Sequence, residues 1–317
     1  AIHFCLLIAN LIIIVIIFFI GKKLFDSLTG IISGATFGLL GLNPHAQGLF
    51  SHPEPFGMLF ICSGVYILLL GINSERKSLL MWSGVFFGLG LLIKQNVFVF
   101  VGFPIIYLCW ELFKNSYQGR NFWRDGLLFF TFGYFIPLAI FWVFCLITGS
   151  WDQMFFWTFI MPSEMTSPIS ITRIIEQFKT LSIPIIKSSP LFFGVAVVGL
   201  LSTLWDKKSR PATTFIILFW TFSFFTMCVA FYLRAHYFLY LFPATALLTG
   251  VGFYSINGLI KKTPLIKINR LTIIGLAVLF FSYSVLDQRK FLFQTNPEMA
   301  SRTIYGGNPF PESLVIA

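Results

Sequence analysis

Apolar runs without charge recur along the whole chain and constrain its fold more than any other sequence feature. The run from Phe56 to Leu70, for example, contains no charged residue. A helix that crosses a bilayer needs about 20 predominantly apolar residues. Of the 317 residues, 57% are hydrophobic and 11% are charged, whereas soluble domains carry roughly 25% charged residues. We therefore predict an all-α, polytopic integral membrane protein with about ten transmembrane helices.

The apolar runs define the predicted spans and a predicted transmembrane domain over residues 1–286. The spans are residues 1–20, 30–44, 56–72, 79–93, 96–113, 126–148, 184–204, 212–233, 237–259 and 271–286. The fourth and fifth are separated only by Lys94-Gln95-Asn96, which indicates either two short spans meeting in a tight turn or one broken helix. Residues 287–317 are more polar and are predicted to begin a C-terminal segment on the outer face.

The N-terminus has the composition of a span. Its first twenty residues are apolar but lack a basic n-region and a small-residue cleavage site, which argues against a signal peptide. The chain does not begin with Met. We therefore expect it to start inside a longer protein.

The basic residues predict the orientation of the spans. The formal net charge of +10 is spread over short loops, which is typical of topology signals and does not indicate nucleic-acid binding. With the N-terminus outside, 14 of the 22 Lys and Arg residues fall in inner loops. The positive-inside rule then places five ionisable side chains on the outer face. They are His52, Glu54, Lys94, Arg234 and His236.

Glu54 is the first candidate site residue, because acidic side chains next to hydrocarbon are expensive and usually functional. Pro53 and Pro55 restrict the backbone on both sides of it. A pinned carboxylate suits a metal ligand or a hydrogen-bond acceptor for a polar substrate. The alternative is a solvated carboxylate at a helix end.

Three further charged or titratable residues are candidates for the same face. Lys94 either snorkels to the interface or lines a polar cavity as the counter-charge of a phosphate. Arg234 is suited to a phosphate oxygen, and His236 to a metal or to a hydrogen bond with substrate. Interfacial anchoring is the alternative for the tyrosines around them.

A long outer loop is predicted from residue 149 to 183. It begins with an aromatic run, Trp151–Trp157, in which Trp157 is either part of an interfacial belt or a face for sugar stacking. Further along, Ile171, Ile174, Ile175, Phe178 and Leu181 follow helical spacing. This pattern predicts a short amphipathic helix lying in the membrane interface.

Four stretches, in this order, resemble a known group of enzymes. They are His52-Pro53-Glu54-Pro55-Phe56, then Gly88-Leu89-Gly90-Leu91-Leu92-Ile93-Lys94-Gln95-Asn96, then Phe156-Trp157-Thr158-Phe159, and finally Ala235-His236-Tyr237-Phe238-Leu239 leading to Leu241-Phe242-Pro243-Ala244. The chain resembles bacterial membrane glycosyltransferases of the GT-C class that use lipid-phosphate-linked sugars. That group includes protein O-mannosyltransferases and the aminoarabinose transferase of lipid A. The resemblance extends to about Gly252.

The resemblance implies a GT-C-like fold and transfer of a sugar from a polyprenyl-phosphate donor. Transfer would occur on the outer face of the bacterial cytoplasmic membrane, to a lipid, protein or glycan acceptor. The matching positions for substrate binding are Glu54, Lys94, Gln95, Arg234 and His236, with Trp157 in the outer loop. The resemblance implies no obligatory cofactor, although a divalent metal ion held by Glu54 and His236 is an alternative way to bind the phosphate.

The resemblance does not supply a general base from these residues. In that group the catalytic Asp lies in the first outer loop, which corresponds to sequence upstream of residue 1. Asp26 is predicted inside and Asp152 lies in a late loop, so neither matches. We therefore expect these residues to be inactive on their own.

Two other function classes fit parts of the pattern. A secondary transporter would also use intramembrane charges and a broken helix, although transporters tend to place sites at the midplane between paired repeats. A non-catalytic, lipid-binding membrane subunit would need no general base. Both remain alternatives to the transferase at this point.

Overall fold

The computed structural model describes residues 2–114, 120–165, 170–205, 210–229, 233–260 and 270–305. Across these residues the secondary structure is helical and no strand occurs, which confirms the all-α prediction. Some residues of the predicted inner loops, at 206–209 and 261–269, lie outside the described residues. So does the end of the predicted C-terminal segment, residues 306–317.

Helices of very different lengths follow one another along the chain. The α-helices are α1 (Ile2–Leu24), α2 (Ser27–Gly41), α3 (Pro53–Asn73), α4 (Lys77–Ile93), α5 (Val97–Phe100), α6 (Gly102–Lys114), α7 (Arg120–Ile147), α8 (Trp151–Phe155), α9 (Met161–Met165), α10 (Ile171–Lys187), α11 (Pro190–Trp205), α12 (Arg210–Cys228), α13 (Phe242–Ile260), α14 (Arg270–Asp287) and α15 (Pro297–Tyr305). Two 3₁₀-helices, Pro44–Ala46 and Ala235–Tyr240, and two π-helical segments, Phe156–Ile160 and Lys290–Gln294, lie between them.

The chain forms two compact units. The first comprises Ala1–Pro55, Lys179–Trp220 and Arg234–Ala317, and the second comprises Phe56–Phe178 and Thr221–Leu233. Each unit therefore combines segments that are distant in the sequence. The division predicted from hydropathy, 1–286 and 287–317, stays a prediction.

The first unit is built on close contacts between helix backbones. A methyl group added to Gly30 of α2 would collide with the Phe18 carbonyl of α1, and one on Gly199 of α11 would collide with the Leu248 carbonyl of α13. Small residues at such crossings let membrane helices approach closely, which is how they gain packing energy without a hydrophobic driving force. The glycines of these apolar runs thus specify which helices touch.

In the second unit, close backbone contacts at glycines likewise join α4 and α7. A methyl group on Gly133 of α7 would overlap the Met81 carbonyl of α4, and one on Gly84 would overlap the Phe130 carbonyl. At one end of the pair, Lys77 Nζ lies 2.6 Å from Asp125 Oδ2. The apolar faces and this ion pair together fix how α4 and α7 are aligned.

The Lys94-Gln95-Asn96 interruption separates two helices. The ring centroids of Phe87 in α4 and Phe100 in α5 are 6.3 Å apart. Thirteen residues of continuous α-helix would separate them by about 20 Å. The chain therefore turns back at the interruption, in agreement with the tight-turn alternative.

The predicted count of about ten spans is not supported by helix length and composition. Within the described residues, four helical stretches are long and apolar enough to cross a bilayer: Ile2–Leu24, Pro53–Asn73, Val97–Lys114 and Asn121–Ile147. The count rises to five if α10 and α11, which meet at a bend of 103°, form one broken span. Helices do occupy all ten predicted ranges, but Ser27–Gly41, Lys77–Ile93, Ala212–Cys228 and Thr272–Asp287 are shorter apolar stretches of 10–17 residues.

The segment from residue 149 to 183, which is predicted to form a long outer loop, is largely helical. It contains α8, the π-helical segment Phe156–Ile160, α9 and the beginning of α10, while residues 166–169 lie outside the described residues. A helix, α10, occurs where the amphipathic pattern predicts one. Its position in the membrane interface stays a prediction.

The glycine contacts lead to a stability prediction. We expect Gly133→Ala to destabilise the protein by about 1–3 kcal/mol, because its methyl group would force the α4 and α7 backbones apart. Gly194→Ala in α11 is the matched control, since nothing lies within 4 Å of an added Cβ there. Thermal unfolding in detergent measures both. Equal melting temperatures for the two variants would contradict the close-contact interpretation.

Candidate functional site

Three titratable side chains from two distant parts of the sequence meet in the first unit. One ligand atom from each of His52, Glu54 and His236 lies within 4.8 Å of the other two. His236 Nε2 is 3.7 Å from Glu54 Oε1. The His52 and His236 rings stack with their centroids 4.2 Å apart and their planes at 18°. We call these three residues the His-Glu-His cluster.

The start of α3 positions Glu54. Pro53 is the first residue of this helix and Glu54 the second, so the carboxylate lies in the first turn, where the helix dipole favours negative charge. His52 precedes the helix. The Glu54 side chain is completely buried, with 0% exposure. A buried carboxylate is costly unless hydrogen bonds or positive charge compensate it, which the two imidazoles beside it are placed to do when protonated or metal-bound.

A 3₁₀-helix, Ala235–Tyr240, positions His236. The His236 side chain is 12% exposed, and its ring meets that of Tyr237 edge to face at 4.9 Å. The other ring nitrogen of His236, Nδ1, lies 3.2 Å from Gln47 Oε1. The imidazole is thus held between a carboxylate on one side and an amide on the other.

Tyr240 lies in the same 3₁₀-helix as His236 and is completely buried. Among the described residues, the Tyr240 hydroxyl finds no hydrogen-bond partner.

The donor set of the His-Glu-His cluster fits a divalent transition metal. Two imidazole nitrogens and one carboxylate oxygen are ligands that Zn²⁺ and similar ions prefer. Two ligands of one tetrahedral ion, each about 2.1 Å from it, lie roughly 3.4 Å apart, close to the 3.7 Å between His236 Nε2 and Glu54 Oε1. A bound cation would also compensate the buried carboxylate of Glu54.

Arg234 lies directly before the same 3₁₀-helix. It is exposed, and its extended backbone forms the N-terminal boundary of Ala235–Tyr240. Arg234 therefore belongs to the first unit, two residues from His236. Its predicted role in binding a phosphate stays a prediction.

The remaining predicted site residues lie in the second unit. Lys94 ends α4, and Gln95 Nε2 donates a hydrogen bond to the Thr158 carbonyl at 2.9 Å. Trp157, the neighbour of Thr158 in the π-helical segment, is 61% exposed. The second and third of the four resembling stretches are thus joined by this hydrogen bond. Roles of Lys94, Gln95 and Trp157 in substrate binding stay predictions.

The structure gives Asp26 a role that sequence reasoning did not assign. Its carboxylate caps α2, accepting hydrogen bonds from Thr29 N at 2.8 Å and from Thr29 Oγ1 at 2.7 Å. Such a cap satisfies backbone donors at a helix start. Asp152, in the first turn of α8, is exposed and lies in the second unit. Among the described residues, the group that could hold a metal ion contains neither carboxylate.

Sequence reasoning missed two contributors to the site. His52 lies in the same short stretch as Glu54, and that spacing was the available signal for a second nitrogen ligand. Gln47 gives no such signal, because its contact with His236 joins residues 189 positions apart.

Comparisons with known proteins agree with the resemblance. The family model of dolichyl-phosphate-mannose-protein mannosyltransferase matches residues 1–144. A crystal structure of an Archaeoglobus fulgidus oligosaccharyltransferase, tethered with an acceptor peptide containing the NVT sequon, superposes with a TM-score of 0.53 at 11% sequence identity. The alignment covers 99% of this chain and 47% of that chain. No curated protein sequence matches.

The comparisons support the fold and the enzyme family of this chain to different extents. The likeness to the oligosaccharyltransferase shows a shared fold, and this chain spans about half of that protein's length. The family model agrees with the resemblance over residues 1–144, which contain the first two of the four stretches. The apolar helices and the family model also indicate a multi-pass membrane protein.

The Gln95 hydrogen bond leads to a prediction about the outer segment. We expect Gln95→Glu, which removes the donor but keeps the size of the side chain, to loosen the π-helical segment. A lost hydrogen bond of about 0.5–1.5 kcal/mol corresponds to about two- to tenfold faster amide exchange. Hydrogen–deuterium exchange over residues 156–160 measures it, with exposed Gln153→Glu as the control. Unchanged exchange in the Gln95 variant would show that this bond does not hold the segment.

Proposed function

We propose that this chain is the membrane part of a glycosyltransferase that moves a sugar from a polyprenyl-phosphate donor to an acceptor. The observation that carries the proposal is the His-Glu-His cluster. Glu54 and His236 come from the first and the last of the four resembling stretches, and the fold brings them within 3.7 Å. Two of the four ordered stretches therefore contribute to one cluster in the first unit.

The first task of such a site is to hold a lipid phosphate. The donor carries negative charge on its phosphate oxygens, and more charge develops there as the bond to the anomeric carbon breaks. Preorganised positive groups that meet developing charge usually make the largest contribution to catalysis. We assign this role to Lys94 and Arg234, an ammonium and a guanidinium that both suit phosphate.

The His-Glu-His cluster has a second role in this proposal. His52, Glu54 and His236 would hold a divalent ion, which when bound supplies Lewis-acid stabilisation of the phosphate oxygens. The burial of Glu54 keeps water from its carboxylate and so favours a cation there. Pro53 and Pro55 hold the backbone of this ligand in place.

Proton removal from the acceptor is not assigned to these residues. An acceptor hydroxyl loses its proton as it attacks the anomeric carbon, and a positioned carboxylate is the usual base. Asp26 is committed to the cap of α2, and Asp152 lies in a late loop, not in the first outer loop where the resembling group has its catalytic Asp. The described residues are therefore proposed to bind donor and stabilise charge, with the base supplied by an outer-loop Asp as the family resemblance implies.

The acceptor and the membrane arrangement extend the proposal. The oligosaccharyltransferase with the shared fold was solved with an acceptor peptide, so a peptide or protein is the acceptor to test first, ahead of lipids and glycans. We place the site on the outer face of a bacterial cytoplasmic membrane because the positive-inside rule puts Glu54, Lys94, Arg234 and His236 there. In that arrangement the shorter helices complete about ten crossings, and α10 lies along the outer interface.

A transfer assay with the full-length protein tests the proposal. Proteoliposomes would receive a radiolabelled polyprenyl-phosphate sugar and an acceptor peptide. We expect Lys94→Ala and Arg234→Ala each to lower the transfer rate by about 10²–10³-fold, as removal of a preorganised charge-stabilising group does. Lys290→Ala, an exposed outer lysine, is the matched control. A Lys94→Ala protein with the wild-type rate would remove Lys94 from the mechanism, and movement of the intact donor without transfer would favour a transporter.

Metal removal gives an independent prediction. If the cluster holds an ion, a chelator lowers the wild-type transfer rate, and added divalent ion restores it. The same chelator should leave the already low rate of His236→Ala unchanged, because that variant has lost a ligand. A wild-type rate that resists chelation, with metal absent by elemental analysis, would contradict the metal role and leave the transferase proposal standing.

A further inference from the structure

We infer that Gln47 is a positioning residue that fixes the tautomer and the orientation of His236 for metal binding. This inference rests on the metal site proposed above and adds a residue to it that neither the sequence stretches nor the comparisons indicate. Three observations support this role: the contact of Gln47 with His236, the left-handed backbone of Gln47, and the hydrogen bonds that anchor its turn. The ligand class is a divalent transition metal ion.

The contact itself determines the tautomer. Gln47 Oε1, an acceptor, lies 3.2 Å from His236 Nδ1, so Nδ1 carries the hydrogen and donates it. In a neutral imidazole the other nitrogen, Nε2, then has the free lone pair. Nε2 is the atom that lies 3.7 Å from Glu54 Oε1. The nitrogen left as a ligand is therefore the one that faces the carboxylate.

The backbone of Gln47 is unusual in a way that supports a function. Its φ is 56° and its ψ is 31°, the left-handed conformation that favours Gly or Asn at the end of a helix. Next in the chain is Gly48, where an added methyl group would collide with the Gly41 carbonyl. A non-glycine residue in this conformation costs about 1 kcal/mol or more and persists where the surroundings hold it. The conformation aims the Gln47 side chain at His236.

The turn that carries Gln47 is anchored by the buried side chain of Asn43. Its oxygen accepts from His45 N at 2.9 Å, and its Nδ2 donates to Ser188 Oγ at 2.8 Å and to the Ile185 carbonyl at 3.3 Å. These bonds tie the 3₁₀-helix Pro44–Ala46 to the end of α10. Hydrogen bonds to a distant segment of the chain therefore hold the turn in place.

A second set of bonds holds the anchor. Gln288 Nε2, just after α14, donates to the Ser188 carbonyl at 3.2 Å and to Ser189 Oγ at 3.3 Å. Hydrogen bonds therefore join three segments of the first unit, around residues 43, 188 and 288. The turn that carries Gln47 is therefore held by bonds from two other segments of the first unit.

The chemical consequence follows from how histidine binds metal. A ligating imidazole that donates its second N–H to a fixed acceptor keeps its orientation and gains basicity. Loss of the Gln47 acceptor favours the tautomer of His236 that carries its proton on Nε2 and donates it to Glu54. That arrangement removes the lone pair from the site.

Metal binding by the full-length protein in detergent provides the first readout, with Co²⁺ as the probe and its visible absorption as the signal. Gln47→Gly removes the side chain and adopts a positive φ without strain. Gln47→Glu keeps an acceptor oxygen at the same place. Exposed Gln153→Gly is the control for a glutamine lost elsewhere, and thermal unfolding verifies that each variant folds.

We expect Gln47→Gly to weaken Co²⁺ binding by about 10–100-fold, the usual effect of losing a partner of a ligating histidine. Gln47→Glu should restore binding to within a few fold of wild type, and His236→Ala should abolish it. If Gln47→Gly binds Co²⁺ with wild-type affinity while His236→Ala does not bind it, the role of Gln47 is overturned and the metal site is retained. If the wild-type protein binds no Co²⁺, the inference fails with the metal site, while sugar transfer is still measured separately.

A readout without metal tests the tautomer itself. The protein has four histidines, so ¹⁵N-labelling of histidine gives a spectrum in which the His236 signals are those missing from His236→Ala. We expect the wild-type ring to be protonated on Nδ1, and the Nε2-protonated form to grow in Gln47→Gly. A wild-type ring protonated on Nε2 would overturn the inference whatever the metal result.

Discussion

The burial of the Glu54 carboxylate is the constraint on which the functional part of this molecule depends. A carboxylate with no exposed surface needs positive charge or donors around it, and here the chain supplies them from elements that meet only through the fold. The start of α3 contributes its dipole and His52, and the 3₁₀-helix Ala235–Tyr240 contributes His236.

The glycine-mediated contacts explain how such a site stays in place in a helical bundle. Backbone contacts at Gly30, Gly199 and Gly133 leave no room for the helices to slide. The loops that hold the candidate site residues then need few additional hydrogen bonds to keep their positions. Asn43 and Gln288 supply those bonds in the first unit, and Gln95 supplies one in the second.

The helical elements follow from the sequence more completely than the site does. Hydropathy is a local property, so each of the ten predicted ranges falls on a helix. The number of crossings depends on helix length, which Gly-rich and polar ends shorten by a few residues, as in Ser27–Gly41. The tight turn at Lys94 was one of two alternatives, and only the Phe87–Phe100 contact decides between them. Glu54 and His236 could be paired through the resemblance, and His52 lies in the same short stretch as Glu54. Gln47 joins them through a contact that no local pattern encodes.

The π-helical segment Phe156–Ile160 has a consequence for the register of the outer loop. A π-helical turn holds one residue more than an α-helical turn, and one residue corresponds to about 100° of rotation around a helix axis. The side chains of α9 therefore point about a quarter-turn away from where an uninterrupted helix from Trp151 would direct them. Deleting a single residue from this segment would rotate the side chains of α9 by about the same angle while leaving the composition of the segment almost unchanged. The number of residues in the π-helical segment therefore sets the direction in which the α9 side chains point.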